Sequence, residues 1–393
     1  MKIVGIIAEY NPFHDRHARH IAASRKLAGG DAAVVCAMSG DFVQRGEAAV
    51  FSKFARAEAA IKGGADLVLE LPLPWCMSSA EGFARGGVGL LGALGCVDYL
   101  SFGAEYADVK TLSTVATMLM DPSLDAAIRE ELKTGVSYAA ARQAAIARDI
   151  GSLAQILEAP NNILAVEYLK AIYQQRLRME PLAIEREGPE HDGVGSASEL
   201  RRLLALGEPI KDYVPHACWQ LYKEEREQGR GPVTTDALEC AILSRLRMKK
   251  QADFALIPDD AEGLSKKLCD AAHEETSLDG ILAAAKSKRY AMARLRRMCM
   301  FAALGISAGS AEEIPPYARV LAANAKGREV LRIAQQKSRI PILTKPAFVR
   351  DLDAESKKIF VLNSDAHDFY VLGYSAVEER RGNGDWRTSP RML

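Results

Sequence analysis

An apolar run, Lys2 to Ala8 (KIVGIIA), leads a few residues on to three histidines set three apart, His14, His17 and His20. The run is short and apolar on both faces, as expected of a strand buried in the middle of a parallel sheet. The histidines then fall in the first turns of the following helix. The free N–H groups and partial positive charge of a helix start favour an anion, so protonatable imidazoles placed there would face a group such as a nucleotide phosphate. Histidines at i, i+3 and i+6 also raise the question of a metal. No nearby cysteine or suitable carboxylate completes a coordination set, and the third position drifts to another helix face, so no metal ligands are expected. His20 taken alone reads equally well as structural.

The rest of the first 215 residues repeats the strand-then-helix alternation. Candidate strands are 2–8, 32–38, 66–71, 99–102 and 182–186, with amphipathic helices between them. Such alternation predicts an α/β fold with a doubly wound parallel sheet, whose ligands bind at the carboxyl ends of the strands. The polar motifs lie at those ends: Asn11 to His14 after the first strand, Ser39 and Gly40 after the second, Glu70 closing the third, and Gly103 and Glu105 after the fourth. Beyond about residue 216 the pattern becomes mainly helical, with Thr234-Thr235-Asp236 placed to cap a helix running to Arg247. Two domains are expected, 1–215 and 216–393, and the polar tail 378–393 reads as loosely held.

The chain has no net charge, but the charge is unevenly distributed. Residues 1–215 carry a net −5 and the remainder +5, and residues 281–350 alone hold 14 basic against 3 acidic side chains. A net +11 over 70 residues is the electrostatic footprint of a polyphosphate partner, and RNA rather than DNA is the natural one. Within it, Lys288, Arg289, Arg294, Arg296 and Arg297 lie around Tyr290, a composition suited to gripping a single-stranded loop by phosphate neutralisation and stacking. The alternative is that Tyr290, Leu295 and Met298 are core and the arginines a solvated face. Seven cysteines without a CxxC pair argue against a zinc site or disulfide framework. No apolar run is long enough to span a membrane and no signal peptide is evident, so a cytoplasmic protein with no membrane partner is expected.

Six blocks in order, GIIAEYNPFH, MSGDFVQRGEAAVFSKFAR, GADLVLELP, SFGAE, PNNILAVEY and SASELR, together with the histidine spacing, resemble the motifs of the bacterial tRNA(Met) cytidine acetate ligases, a family of the HxGH nucleotidyltransferase superfamily. The resemblance extends more thinly through KRYAMARLRRM and DAHDFYVL. It implies a nucleotidyltransferase-like, Rossmann-type ATP-binding domain followed by a mainly helical, basic, tRNA-binding one. It further implies an enzyme that uses ATP with Mg²⁺ and no tightly bound cofactor, joins acetate to AMP, and passes the acetyl group to N4 of the wobble cytidine in elongator tRNA(Met).

The residues implied to bind nucleotide are Ile7, Ala8, Glu9, Tyr10, Asn11, Pro12, Phe13, His14, Asp15, Arg16, His17 and His20, with Gly103, Asn161, Asn162, Arg186, Ser196 and Ser198. His14, His17, Ser39 and Arg201 are the implied catalytic set. Several also have plain readings. One asparagine could be an N-cap, Ser196 and Glu199 form an S-x-x-E capping box, and Lys53 with Arg56 could either line the site or form a solvated face. Gln44 and Arg45 could bind a carboxylate or a phosphate. One departure stands out: Arg16 occupies the position of the motif glycine. Its side chain would either crowd the nucleotide or add a phosphate contact, which keeps two other functions in view, a small-molecule adenylyltransferase and a non-catalytic RNA-binding homologue.

Overall fold

A computed structural model describes residues 1–136, 138–186, 195–260 and 263–393. The chain begins β1 (Ile3–Ala8), α1 (Asp15–Leu27), β2 (Ala33–Ser39), β3 (Phe42–Val43), β4 (Glu47–Ala48), α2 (Lys53–Lys62), β5 (Leu67–Leu71), α3 (Ala80–Ala93) and β6 (Tyr99–Ala104). Four helices follow, α4 (Val109–Met118), α5 (Ser123–Leu132), α6 (Tyr138–Ile150) and α7 (Pro160–Gln174), before β7 (Glu180–Glu185) and α8 (Ala197–Ala205). Next come α9 (His216–Glu227), α10 (Thr235–Arg247), α11 (Gln251–Phe254), α12 (Leu264–Glu274), α13 (Leu278–Ala285) and α14 (Met292–Leu304). The last stretch is β8 (Ala318–Ala323), α15 (Ala325–Lys337), β9 (Ile342–Leu343), α16 (Ala354–Tyr370), α17 (Gly384–Arg387) and β10 (Arg391–Met392). Thr234 caps α10 as expected, its hydroxyl accepting from the Ala237 N–H at 3.2 Å.

The expected strands pair in the order β5-β2-β1-β6-β7, all parallel. Alternation along β2 explains why both faces are apolar. Ala33, Val35 and Ala37 join the core under α3 and α7, while Val34, Cys36 and Met38 join a second core under α2, α8 and α9.

The C-terminal stretch is mainly helical as expected, and it also adds strands to the sheet. β8 adds to the sheet beside β5, antiparallel to it, with β9 and β10 both parallel to β8. Residues 318–393 thus share a sheet with the first 215, which is mixed at this edge rather than wholly parallel, and the break at 215 does not divide it. ARVLAA is short and alanine-rich, a pattern periodicity cannot tell from buried helix.

The tail is also anchored rather than loose. Asp385 is fully buried, and β10 pairs with the end of β8. Among the described residues no helix is long and apolar enough to cross a membrane.

Candidate active site

The carboxyl ends of β2, β1, β6 and β7 lie side by side at one end of the sheet, where the polar loops meet in the candidate cleft. β1 ends at Ala8, and Tyr10 takes φ 47°, a left-handed conformation that costs a bulky residue free energy. Its ring is held between Phe13 and His17, with centroids 4.9 Å from each, and its hydroxyl lies 3.4 Å from Cys36 Sγ. The turn delivers His14 to the N-cap of α1. The His14 and His17 rings stack 3.7 Å apart, and the His14 N–H donates to His17 Nδ1 at 3.2 Å. His14 Nδ1, buried with the rest of the side chain, has no hydrogen-bond partner among the described residues.

Burial favours the neutral form of these protonatable imidazoles. Burial, with Arg16, Arg186, Arg19 and Arg201 nearby, pulls the His14 pKa down to about 3. Burial and the neighbouring histidines hold His17 well below its usual range, and burial with Arg186 brings His20 to about 4. The same observation locates the positive field: guanidinium groups from α1, the end of β7 and α8 all act on one imidazole. Two neutral rings among arginines can donate hydrogen bonds to an anion, while the arginines supply the charge. His20 contacts Ser101 Oγ on β6 at 3.1 Å, in line with its structural reading.

Other residues brace the cleft. Arg201 donates to the Asn11 carbonyl at 3.0 Å and to Ser198 Oγ at 3.3 Å, fastening α8 to the β1–α1 loop. Ser196 caps α8, accepting from the Glu199 N–H at 3.2 Å; Glu199 itself pairs with Arg202, so only half of the capping box forms. Ser39, at the end of β2, is fully buried with its hydroxyl unpartnered among the described residues. The Gly40 Cα faces Glu70, so a Cβ there would meet Glu70 Oε1 at 3.0 Å. Glu9 accepts the Gln44 N–H at 2.9 Å, and burial raises its pKa despite Arg201 and Arg45 nearby.

The asparagine pair is engaged with the protein. The N-cap of α7 is Ala159, and Glu105 covers the helix start, accepting from Asn161 Nδ2 and from the Asn162 N–H at 2.9 Å. Asn162 Oδ1 accepts from the Tyr106 N–H at 3.0 Å. Both asparagines thus brace the β6 end, where a Cβ on Gly103 would meet Arg186 Cγ at 3.1 Å.

Neither sequence reading of Lys53 and Arg56 holds, because both are buried in the interior. Arg56 donates to the carbonyls of Phe51 (2.9 Å), Glu9 (2.5 Å) and Gly40, tying the ends of β1 and β2 together. Lys53 sits in a buried charge cluster with Glu70 at 2.8 Å, Asp385 at 2.6 Å and Asp41 at 3.7 Å. Arg319 of β8 pairs with Glu70 at 3.2 Å and Asp385 at 2.6 Å, and His367 of α16 pairs with Asp41 at 2.8 Å. Burial opposes the charged forms, yet His367 and Lys53 hold the Asp41 carboxyl well below its usual range, and Asp41 raises His367. Sequence reasoning missed this cluster. The available signal was Lys53 and Arg56 sharing one face with the apolar Ala57 and Ala60 of α2.

The arginines of α14 are also partnered. Arg294 donates to the Asp259 carbonyl at 3.0 Å and packs over Tyr290, Arg297 pairs with Asp259 at 2.9 Å, and Arg296 pairs with Glu47 at 2.9 Å. Lys288 and Arg289 are exposed.

The family described as HIGH Nucleotidyl Transferase matches residues 1–385. A tRNA(Met) cytidine acetate ligase of Thermosipho africanus is 35% identical over 98% of this chain and 98% of its own. The protein of that name from Acetivibrio thermocellus is likewise 35% identical, with 98% of both chains covered. Among solved structures, Thermotoga maritima TmcAL bound with alpha-thio ATP superimposes with a TM-score of 0.94 at 32% identity, and its apo form with 0.96, each covering 100% of both chains. On this agreement of sequence and fold, the chain belongs to the tRNA(Met) cytidine acetate ligase family of HIGH nucleotidyltransferases.

Proposed function

We propose that this protein is an ATP-dependent ligase that activates acetate as acetyl-adenylate and acetylates N4 of the wobble cytidine in the anticodon of elongator tRNA(Met). The observation that carries the reading is the convergence of Arg16, Arg186 and Arg201 on the stacked, uncharged His14–His17 pair at the start of α1. That cluster suits a triphosphate, and a relative sharing this fold is seen with an ATP analogue.

An acetate oxygen attacks the α-phosphorus as the bond to pyrophosphate breaks. The protein's part is alignment and charge stabilisation around a crowded phosphorus. His14 and His17 donate to phosphoryl oxygens from neutral rings, and Arg201 fixes the loop that carries them while adding charge. Ser39 closes the floor of the cleft beside β1. The serines at the start of α8 would hold the outer phosphates, and Asn161, Asn162, Gly103 and Arg186 would shape the ribose and adenine end. In the second step the cytidine N4 lone pair attacks the acetyl carbonyl carbon, AMP departs with the carbonyl–oxygen bond pair, and the amine proton passes to solvent or to a cleft base.

Among the described residues no three His, Cys, Asp or Glu side chains are grouped to hold a cation. Mg²⁺ would therefore arrive on the phosphates, with Glu9 directly after β1 one carboxylate that could face it, and would neutralise charge building on pyrophosphate. Lys288 and Arg289 are the exposed members of the proposed tRNA surface, with Arg294, Arg296 and Arg297 behind them. The two-domain division assigns residues 1–215 to catalysis and 216–393 to RNA, with β8 and the tail completing the catalytic sheet.

The test has two stages. Acetate-dependent exchange of pyrophosphate into ATP without RNA is expected, followed by transfer of labelled acetate to tRNA(Met). Exchange that never leads to RNA acetylation would favour a small-molecule adenylyltransferase, and tRNA binding without ATP binding would leave only an RNA-binding protein.

A further inference from the structure

The β3–β4 hairpin is fastened at every point except its tip. At its base Phe42 is fully buried against Phe369 and Tyr370 of α16. On the cleft side the Gln44 N–H is held by the Glu9 carboxylate at 2.9 Å, so the hairpin touches the end of β1 directly. On the other side Glu47 pairs with Arg296 of α14 at 2.9 Å. Gly46, at φ +75°, lies so close to that helix that a Cβ would fall 2.5 Å from the Arg297 nitrogen and 2.7 Å from the Arg296 carbonyl carbon. A left-handed φ and the α14 backbone packed against it admit only glycine. Between these fixed points Arg45 is exposed, and its charge acts on Glu9.

The clamped hairpin fixes where Arg45 is displayed, and its guanidinium fork suits a multiply bonded partner such as phosphate. It stands between the end of β1, reached through Gln44 and Glu9, and the helix carrying Arg296 and Arg297. We propose that Arg45 takes a backbone phosphate of the RNA beside the base that enters the cleft, and that the hairpin sets the reach between the RNA surface and the nucleotide site. This rests on the ligase reading above. Glu47 serves in it as a positioning residue: by holding Arg296 it fixes the hairpin on α14.

The test compares Arg45→Ala, Arg45→Lys and Gly46→Ala in the full chain with tRNA as the probe. Arg45→Ala is expected to raise the Kd for tRNA about tenfold at fixed salt and to reduce the slope of log affinity against log salt by about 1, as loss of one charge-assisted phosphate contact does. Arg45→Lys should restore the salt slope while recovering only part of the affinity. Arg45→Ala should lower kcat/KM for tRNA about tenfold more than it lowers acetate-dependent pyrophosphate exchange. Gly46→Ala should lower transfer to RNA more than exchange, with Arg45 still present. The proposal is overturned if Arg45→Ala leaves tRNA affinity and its salt slope unmoved, or if exchange falls as far as transfer, which would place the arginine on acetate or ATP. Should the wild-type protein show neither exchange nor transfer, the ligase reading fails, and the salt slopes alone still decide whether Arg45 meets RNA.

Discussion

Two groups of buried polar side chains lie at the carboxyl ends of neighbouring strands, and they are organised in opposite ways. Around Lys53, three cations (Lys53, Arg319 and His367) meet three carboxylates (Asp41, Glu70 and Asp385), most of them in close ion pairs. Around His14, neutral rings are stacked under guanidinium groups, and His14 Nδ1 and Ser39 Oγ lack partners among the described residues. Burying a polar atom without a hydrogen bond costs about 1–3 kcal/mol. The Lys53 cluster has such an atom too, Asp385 Oδ1, so what separates the two regions is charge: matched ions hold loops together around Lys53, while neutral rings in a field of guanidinium groups around His14 suit an arriving anion.

The largest way to break the contrast is Lys53→Met, which leaves Glu70, Asp41 and Asp385 short of their cation. A loss of about 3–5 kcal/mol is expected, read from the urea unfolding midpoint. An effect below 1 kcal/mol would mean that the cluster is not what holds the strand ends. His17→Ala should behave conversely: exchange activity falls about 10²–10³-fold, while the unfolding midpoint moves less than in Lys53→Met. Equal damage to both properties would erase the distinction.

The two regions should also titrate in opposite senses. His14, His17 and His20 have folded-state pKa values below the unfolded value, so the unfolded chain binds more protons and stability falls as the pH drops below about 6.5. His367 is raised, so its contribution is complete below about 6.5 and is lost as the pH climbs through its folded value. His20→Asn should flatten the acid limb of a plot of stability against pH, and His367→Asn the alkaline limb, each by at most about 1.4 kcal/mol per pH unit. A smaller effect is expected from Arg16→Gly. Because Arg16 adds to the field on His14, ATP affinity should fall about threefold, and a glycine in the first turn of α1 costs a further ~0.5–1 kcal/mol of stability. A rise in affinity would instead mean that the guanidinium lies where the nucleotide belongs.

How much of this was legible in the sequence follows the same divide. Local signals placed the five parallel strands, the start of α1, the Thr234 and Ser196 caps, and the loops that form the cleft, because periodicity and capping act over a few residues. The charge cluster was not legible. Its members come from positions 41, 53, 70, 319, 367 and 385, and the one local sign, Lys53 on the apolar face of α2, does not name carboxylates that lie up to 332 residues away. The contact that engages the asparagine pair was equally out of local reach: its partner, Glu105, stands 56 residues upstream of Asn161. The excess of positive charge in residues 281–350 was real as a sum, but it concealed Arg319 in the interior and arginines of α14 already matched to Glu47 and Asp259.

Asp385 and β10 give the molecule an order in time. A ribosome makes the histidine turn first and the aspartate that neutralises Lys53 more than 300 residues later, so Lys53 is short of one counter-ion until Asp385 has been synthesised. A message cut short near codon 380 would thus specify every histidine of the α1 start while leaving Lys53 and Arg319 without the carboxylate they share.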